Sequence, residues 1–474
     1  MSINRKQNPN NSLSRRKLLK CGLYGGLSAA LSSSLWISGC DKSRRRKAPN
    51  VILISIDTTR SDHCSACGYR RDTTPNLRPF AKQGTSFTTA YSPSATTGPS
   101  HATMLTALYP MEHRVLKNGL KLSQEYPTIA HYLKAQGYQT AAVVSSFVLD
   151  SKFGYAQGFS FFDDHIEPAA SSITKETWKG HKVKGGYDQR ANYTTRKAIA
   201  WLKKQRDPSH PFFLFLHYWD PHSPYNPPEP FSSQFAQAKR WDGLYRVIAL
   251  YDAEIAFTDY EIGKLLTALK QMKLEKDTLL VITSDHGEGL MQRGHMGHGI
   301  HLYEEAVRVP LIFHWPNHIP QGRTITAPVG LISLAPTILD LIGINPGAGP
   351  FQRQSLAAAI RGQTSLDPTQ PVYLYRSHYE GTQVKQFWIE GEKFGVRIGK
   401  WKYIEGKEEN TKELFDLTAD PTEHKNLYAA APKLTAKLAS LLEEWRQAHI
   451  KTDAPPDKIS EEDLAPLKTL GYVE

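Results

Sequence analysis

The chain has 474 residues, 40% of them hydrophobic and 22% charged, the composition of an ordinary globular protein long enough for a large domain and a smaller one. Its net charge of +12 suggests a polyanion binder only until the charges are located: residues 1–47 hold eleven Lys and Arg against Asp41 alone. The remainder is close to neutral, which excludes nucleic acid as a general partner.

Residues 1–39 read as an export leader. Ser14-Arg15-Arg16-Lys17-Leu18-Leu19-Lys20 is a twin-arginine pattern, and the Ser-, Gly- and Ala-rich run from Cys21 to Gly39 is too polar for a membrane span. Ile37-Ser38-Gly39-Cys40 resembles the lipobox of bacterial lipoproteins, whose Cys is acylated after cleavage; a simple signal peptide or a signal anchor are the alternatives. Residues 40–48 form a basic linker that would lie beside anionic headgroups. The expected location is the bacterial periplasm or the outer face of the cytoplasmic membrane, with the protein tethered through a lipidated Cys40.

Residues 49–385 read as one catalytic α/β domain. Val51–Ile56 is a mostly β-branched run ending at Asp57, and similar runs follow at Thr140–Ser145, Phe212–His217, Thr278–Thr283 and Val309–Phe313. Such runs suit strands buried on both faces of a parallel sheet. Helical patterns at Tyr126–Gln136, Tyr187–Lys204 and Leu250–Met272 alternate with them, so the fold class is a large doubly wound, mostly parallel sheet flanked by helices. Between the first strand and the first helix, Cys64 and Cys67 make one C-x-x-C. No second half of a zinc site accompanies it, so a loop disulfide or two free thiols is expected.

Thr97-Gly98-Pro99-Ser100-His101 opens a segment with helical spacing at Met104, Leu105 and Leu108, which places Thr97 at or just before a helix N-terminus. A threonine there is ordinarily only a cap. Free amides and the macrodipole at such a place can also hold a tetrahedral oxyanion.

In open α/β sheets, sites gather beyond the carboxyl ends of strands. Those ends carry Asp57; then His217, Asp220 and His222; then Asp285 and His286, with His295, His298 and His301 soon after. Glycines at 287 and 289 would let backbone approach a ligand. Asp and His together suit a borderline divalent ion such as Mn or Zn better than an ion that prefers an all-oxygen cage. Residues 386–474 read as a C-terminal subdomain, a small antiparallel sheet covered by an amphipathic helix at Leu434–His449, with an exposed tail at Asp453–Asp463.

The order of these motifs resembles the sulfatase family of the alkaline-phosphatase-like superfamily. The matches are Asn50–Asp57, Thr74-Pro75-Asn76-Leu77, the Thr97–Pro110 block, Asp220–Tyr225, Ser284–Gly289, Leu302–Glu305 with Arg308–Leu311, and Leu414–Leu417 to Asn426-Leu427. The resemblance implies an ester hydrolase with Asp57, Asp285 and His286 on metal-ligand positions and Thr97 on the nucleophile, itself a ligand. It implies one divalent ion (Ca, Mn or Zn) and leaves room for a second held by Asp220, His222 and His298. The substrate implied is a small anionic ester, a sulfated or phosphorylated glycan, or a lipid headgroup.

The departures from the family are specific. Its members carry Cys or Ser within C/S-x-P-x-R and convert it to formylglycine; here Thr97 stands in that place and His101 replaces the Arg. A Lys- and His-bearing block expected after Thr140 is absent, His298 stands near a missing Lys, and Thr58 fills the place of a second Asp. Thr nucleophiles resemble phosphodiesterases and phospho-headgroup transferases of the same superfamily. His222 and His298 are candidate proton donors to a leaving group, and His101, with its Arg predecessor gone, joins the catalytic candidates. Three readings follow: a sulfatase-like hydrolase of sulfuric or phosphoric esters, an envelope phosphodiesterase or phospho-headgroup transferase, and a lipid-anchored binding protein without activity.

Overall fold

The computed structural model describes residues 48–167, 177–178, 181–182, 187–235, 243–384 and 387–450. The leader, Cys40, most of the basic linker and the 453–463 tail lie outside the described residues, as do most of the 166–185 loop and part of the 226–240 loop. Residues 47–474 form one compact unit.

Nine strands make the large sheet, among them β1 (Asn50–Ile56), β2 (Thr85–Tyr91), β3 (Gln139–Val143), β4 (Phe161–Asp163), β5 (Phe212–Tyr218), β6 (Thr278–Thr283), β7 (Arg308–His314) and β8 (Arg323–Ile325). Their order is β8-β2-β7-β6-β1-β5-β3-β4, with Val329–Gly330 as β9 beside β2. Every residue of β1, β5 and β6 is buried, as expected where helices cover both faces. Along β1, Val51 and Leu53 belong to one core while Ile52 and Ile54 belong to the other, the period-two alternation of a strand between two layers. β7 runs antiparallel to both β6 and β2, so the sheet is mixed at that side.

Register positions the chemistry. Ser55 pairs with His217 in parallel β5 and with Thr283 in parallel β6. The three central strands therefore leave the sheet at one level, and Asp57, His217 and Asp285 emerge at the same carboxyl edge. Helix α1 (Thr97–Thr106) points its first residue at that edge, with Thr96 as its cap in extended conformation. α2 (Ala191–Lys204) and α3 (Gly243–Gln271) pack on the other face.

The small sheet is antiparallel, in the order β10 (Val372–Val384), β11 (Phe387–Ile398), β12 (Trp401–Gly406), β13 (Thr411–Asp416). Leu438, Leu442 and Trp445 of helix α4 (Pro432–His449) cover Phe394, Val396, Tyr403 and Leu414. The sheet begins at Val372, earlier than the sequence boundary at 386. Two register shifts in β10, between Arg376 and Tyr379 and between Glu380 and Thr382, break the alternation that would have revealed this strand.

Lys402 ties the two sheets together. Its ammonium is fully buried, 3.1 Å from Glu304 of the large domain and 2.9 Å from Glu423. Burial pushes the Glu423 carboxyl up to about 7 even though Lys402 pulls it down. Replacing Lys402 by Met leaves two buried carboxylates facing each other without a cation. The expected loss is about 3–5 kcal/mol, read as a lower urea midpoint at unchanged m-value.

Candidate metal centre and active site

Asp57, Asp285 and His286 are completely buried, and one ligand atom from each lies within 4.8 Å of the others. His286 Nε2 is 3.4 Å from Asp285 Oδ2 and 3.8 Å from Asp57 Oδ1. The Thr97 hydroxyl is 3.2 Å from His286 Nε2. Four residues from three distant segments thus share one pocket of space at the sheet edge.

The protons show what this space lacks. His286 donates Nδ1–H to Gly287 O at 2.9 Å, because a carbonyl can only accept. Its Nε2 therefore presents a lone pair to the carboxylates. Both Asp57 oxygens and Asp285 Oδ2 are buried without a hydrogen-bond partner. Burial, then the charges of Asp285 and Glu288, push the Asp57 carboxyl well above its usual range. Burial likewise raises Asp285, partly offset by His101 and by amides of His286 and Thr58. The same burial holds the His286 imidazole down at about 4, so it is neutral at pH 7. Buried carboxylate lone pairs converging without a hydrogen-bond partner are the signature of a cation site, and the residues present fit one divalent ion.

The remaining candidates divide. His101 uses both ring nitrogens internally, Nδ1 on Thr97 O at 2.8 Å and Nε2 with Ser55 Oγ at 2.9 Å. It braces Thr97 and lies 3.7 Å from Asp285, but no nitrogen remains to meet a substrate. His222 and His298 meet each other, Nε2 to Nε2 at 3.0 Å, and the His298 ring lies 4.4 Å from that of His286. Asp220 does not join them. It accepts from the backbone of Ala191 and faces Arg190 and Asp188, at the N-terminus of α2. The Asp220, His222, His298 set expected for a second ion is not among the converging ligand groups of the described residues, although Asp220 Oδ2 is buried without a hydrogen-bond partner. His295 and His301 pair with each other and with Phe387, toward the small sheet.

Two further expectations are corrected. Beyond Thr97 itself, the amides at the start of α1 are not open to an oxyanion: Gly98 N donates to Asn118 Oδ1 at 2.7 Å, Ser100 N donates to Thr96 O, and Pro99 has no N–H. Gly287 is required for a backbone approach, but the approaching group is Glu305 O, which would lie 2.1 Å from an added Cβ. Cys64 and Cys67 are free thiols, the first buried. Two groups near the site had no role in the sequence reading. Arg60 is buried on Asp62, Glu305 and Gln292, so it does not replace the missing anion clamp. Glu288, pushed up to about 8 by burial, accepts from Tyr225.

A mostly parallel sheet here gathers carboxylates, an imidazole and a hydroxyl at its carboxyl edge, the place where such sheets hold their ligands. Residues 49–344 match the sulfatase family model, and residues 298–448 match one described as N-sulphoglucosamine sulphohydrolase, C-terminal. The chain belongs to the sulfatase family and is a sulfatase-like hydrolase. A sulfatase of Formosa agariphila is 25% identical, with 79% of this chain and 82% of that one aligned. The N-acetylglucosamine-6-O-sulfatase of Bacteroides thetaiotaomicron is 24% identical over 90% of this chain and 91% of its own length. A structure solved in complex with its substrate D-glucosamine-2-N,6-O-disulfate superposes with a TM-score of 0.70 at 23% identity, covering 87% of this chain and 100% of that one; at that identity the likeness bears on fold.

Proposed function

We propose that this protein is an exported, lipid-anchored esterase that cleaves a sulfuric ester of a glycan, with Thr97 as covalent nucleophile and a single divalent ion held by Asp57, Asp285 and His286. The observation that carries the reading is the Thr97 hydroxyl 3.2 Å from His286 Nε2, inside a cluster of partnerless carboxylate oxygens. The relatives named for amino-sugar sulfates support a sulfated amino sugar as the substrate class. A bound divalent ion supplies positive charge to the ester oxygens and acidifies a neighbouring hydroxyl.

The chain's own residues do the rest. Thr97 Oγ, having lost its proton to solvent, attacks sulfur, the bond from sulfur to the glycan oxygen breaks, and that oxygen takes a proton. The His222–His298 pair provides it. His222 donates Nδ1–H to Ser223 O at 2.6 Å and His298 donates Nδ1–H to Ala95 O at 3.2 Å. Burial, then the neighbouring imidazoles, hold both rings well below the ordinary histidine range, so a proton between the facing Nε2 atoms has to be taken up together with the anionic substrate. Water then attacks the sulfur of the threonine ester and restores the hydroxyl. His101 positions Thr97 through its carbonyl.

His222→Ala should lower kcat about 10²–10⁴-fold on an alkyl or sugar ester. The loss should be under about tenfold on a nitrophenyl ester, whose leaving group needs no proton. Equal losses on both substrates would remove the general-acid role.

A second reading, phosphate or phosphonate ester cleavage or phospho-headgroup transfer, draws on the single hydroxyl of Thr97. With no geminal hydroxyl to expel the bound group, release requires attack at the central atom by water or an acceptor alcohol. Turnover of a panel of sugar sulfates, phosphate monoesters and phosphate diesters by the metal-loaded enzyme decides between them. Highest kcat/KM on a phosphate diester would overturn the sulfatase assignment.

A further inference from the structure

We infer that His217 is a further ligand of the ion, so that the donor set is two carboxylates and two imidazoles rather than the three side chains Asp57, Asp285 and His286. The inference rests on the single-ion reading above and concerns a residue that reading leaves idle.

The observations are geometric. His217 ends the run of buried residues in β5, and the parallel register with β1 brings it level with Ser55, two residues before Asp57. Its ring is fully buried, and Nε2 lies 3.4 Å from Asp57 Oδ2. A ring nitrogen of His217 also falls within 4.8 Å of an Asp285 carboxylate oxygen and of a His101 nitrogen, so Asp285 belongs to both converging groups. Yet neither His217 Nε2 nor Asp57 Oδ2 has a hydrogen-bond partner, so the close approach is not a hydrogen bond.

The tautomer explains why. The Ser145 hydroxyl donates to the carbonyl of His217. Its proton being committed, Ser145 Oγ can only accept from His217 Nδ1, 3.4 Å away. The Nδ1–H form leaves a lone pair on Nε2, aimed at carboxylates that also carry lone pairs. Such an arrangement is repulsive unless a cation lies between them. His286 is built the same way, with Nδ1–H on a backbone carbonyl and Nε2 turned inward, the usual outer bond of a metal-bound histidine. His101, the other imidazole near Asp285, is excluded because both of its nitrogens are engaged.

The Thr58 amide donates to Asp285 Oδ1 at 3.1 Å, so that oxygen is held by backbone while Oδ2 is left for the ion. A second imidazole beside two carboxylates makes the site softer. It should favour Zn or Mn over Ca.

The test is metal binding by itself. Protein stripped with a chelator is titrated calorimetrically with Zn2+ for wild type, His217→Ala, His217→Asn and Asp285→Ala, with the melting temperature of each metal-free form measured alongside. The expected result is one ion per wild-type chain, and Zn2+ affinity lowered at least tenfold in either His217 variant. Ser145→Ala should weaken binding severalfold by releasing the tautomer. Wild-type affinity in a folded His217 variant, with binding lost in Asp285→Ala, overturns the assignment of His217 alone. Failure of the wild type to take up Zn2+, Mn2+ or Ca2+ overturns the single-ion reading with it.

Discussion

Thr97→Ala should abolish turnover, with kcat down by on the order of 10⁴- to 10⁶-fold, the scale seen when a covalent nucleophile is removed from an assembled site. Each tenfold step corresponds to about 1.4 kcal/mol of transition-state stabilisation, so the single hydroxyl carries roughly 5–8 kcal/mol. The substitution isolates chemistry from folding. Thr97 is the first residue of α1 rather than its cap, and the cap, Thr96, makes no side-chain hydrogen bond to the helix. The helix entrance is held instead by Asn118 on the Gly98 amide and by Tyr155, which donates to Gly98 O at 2.8 Å. Alanine is a good helix former, so the melting temperature should stay within a degree or two. Thr97→Ser keeps the oxygen but loses the stiffening methyl, and should retain activity within about a hundredfold. Turnover and metal content measured on all three proteins check the claim. An alanine variant with wild-type kcat and a full complement of metal would show that the hydroxyl does not attack.

Much of the fold was legible because its strands are buried on both faces. Val51–Ile56 and Thr278–Thr283 have no polar face to disguise them, and each is followed within two residues by a carboxylate that has no structural reason to sit in a dry sheet edge. The candidate ligands Asp57, Asp285 and His286 were thus readable as residues. Their convergence was not, since it depends on the Ser55–His217 and Ser55–Thr283 register, and register is set by pairing across more than 150 residues of chain. The post-strand loop at Asp220 carries the composition of a metal loop, yet Asp220 does not converge with His222 and His298 among the described residues; composition alone cannot show which side chains meet. His101 and His217 differ in what their rings can still bind for a reason invisible in sequence, namely which of their nitrogens already has a partner. The first strand of the small sheet was lost because bulges at Arg376–Tyr379 and Glu380–Thr382 destroy the period-two pattern that betrays strands.

Removing the ion should destabilise the protein, and Asp285→Asn should reverse that effect. At an ion concentration about a thousand times Kd, binding to the folded state alone contributes about 4 kcal/mol. At roughly 2 °C per kcal/mol for a chain of this size, a chelator should lower the melting temperature of the wild type by about 8 °C. The chelated site then holds two buried carboxylates, Asp57 and Asp285, each with its pKa raised by burial and neighbouring charge. Asparagine removes one charge at nearly constant shape. The variant should melt above the chelated wild type, ignore chelator, and be inactive. Acidity supplies a second check with a definite sign. A raised carboxyl pKa means that the metal-free folded state binds protons more readily than the unfolded chain. Its stability therefore falls as pH climbs from the ordinary carboxyl value of 3.8 through the raised one. The loaded site holds no such protons, so the gap between loaded and chelated protein should be widest at neutral pH and should close on acidification. His286, held down at about 4, begins to compete with the ion only near that pH. A melting difference that does not change with pH, or an Asp285→Asn variant that still responds to chelator, would show that these carboxylates do not hold the ion.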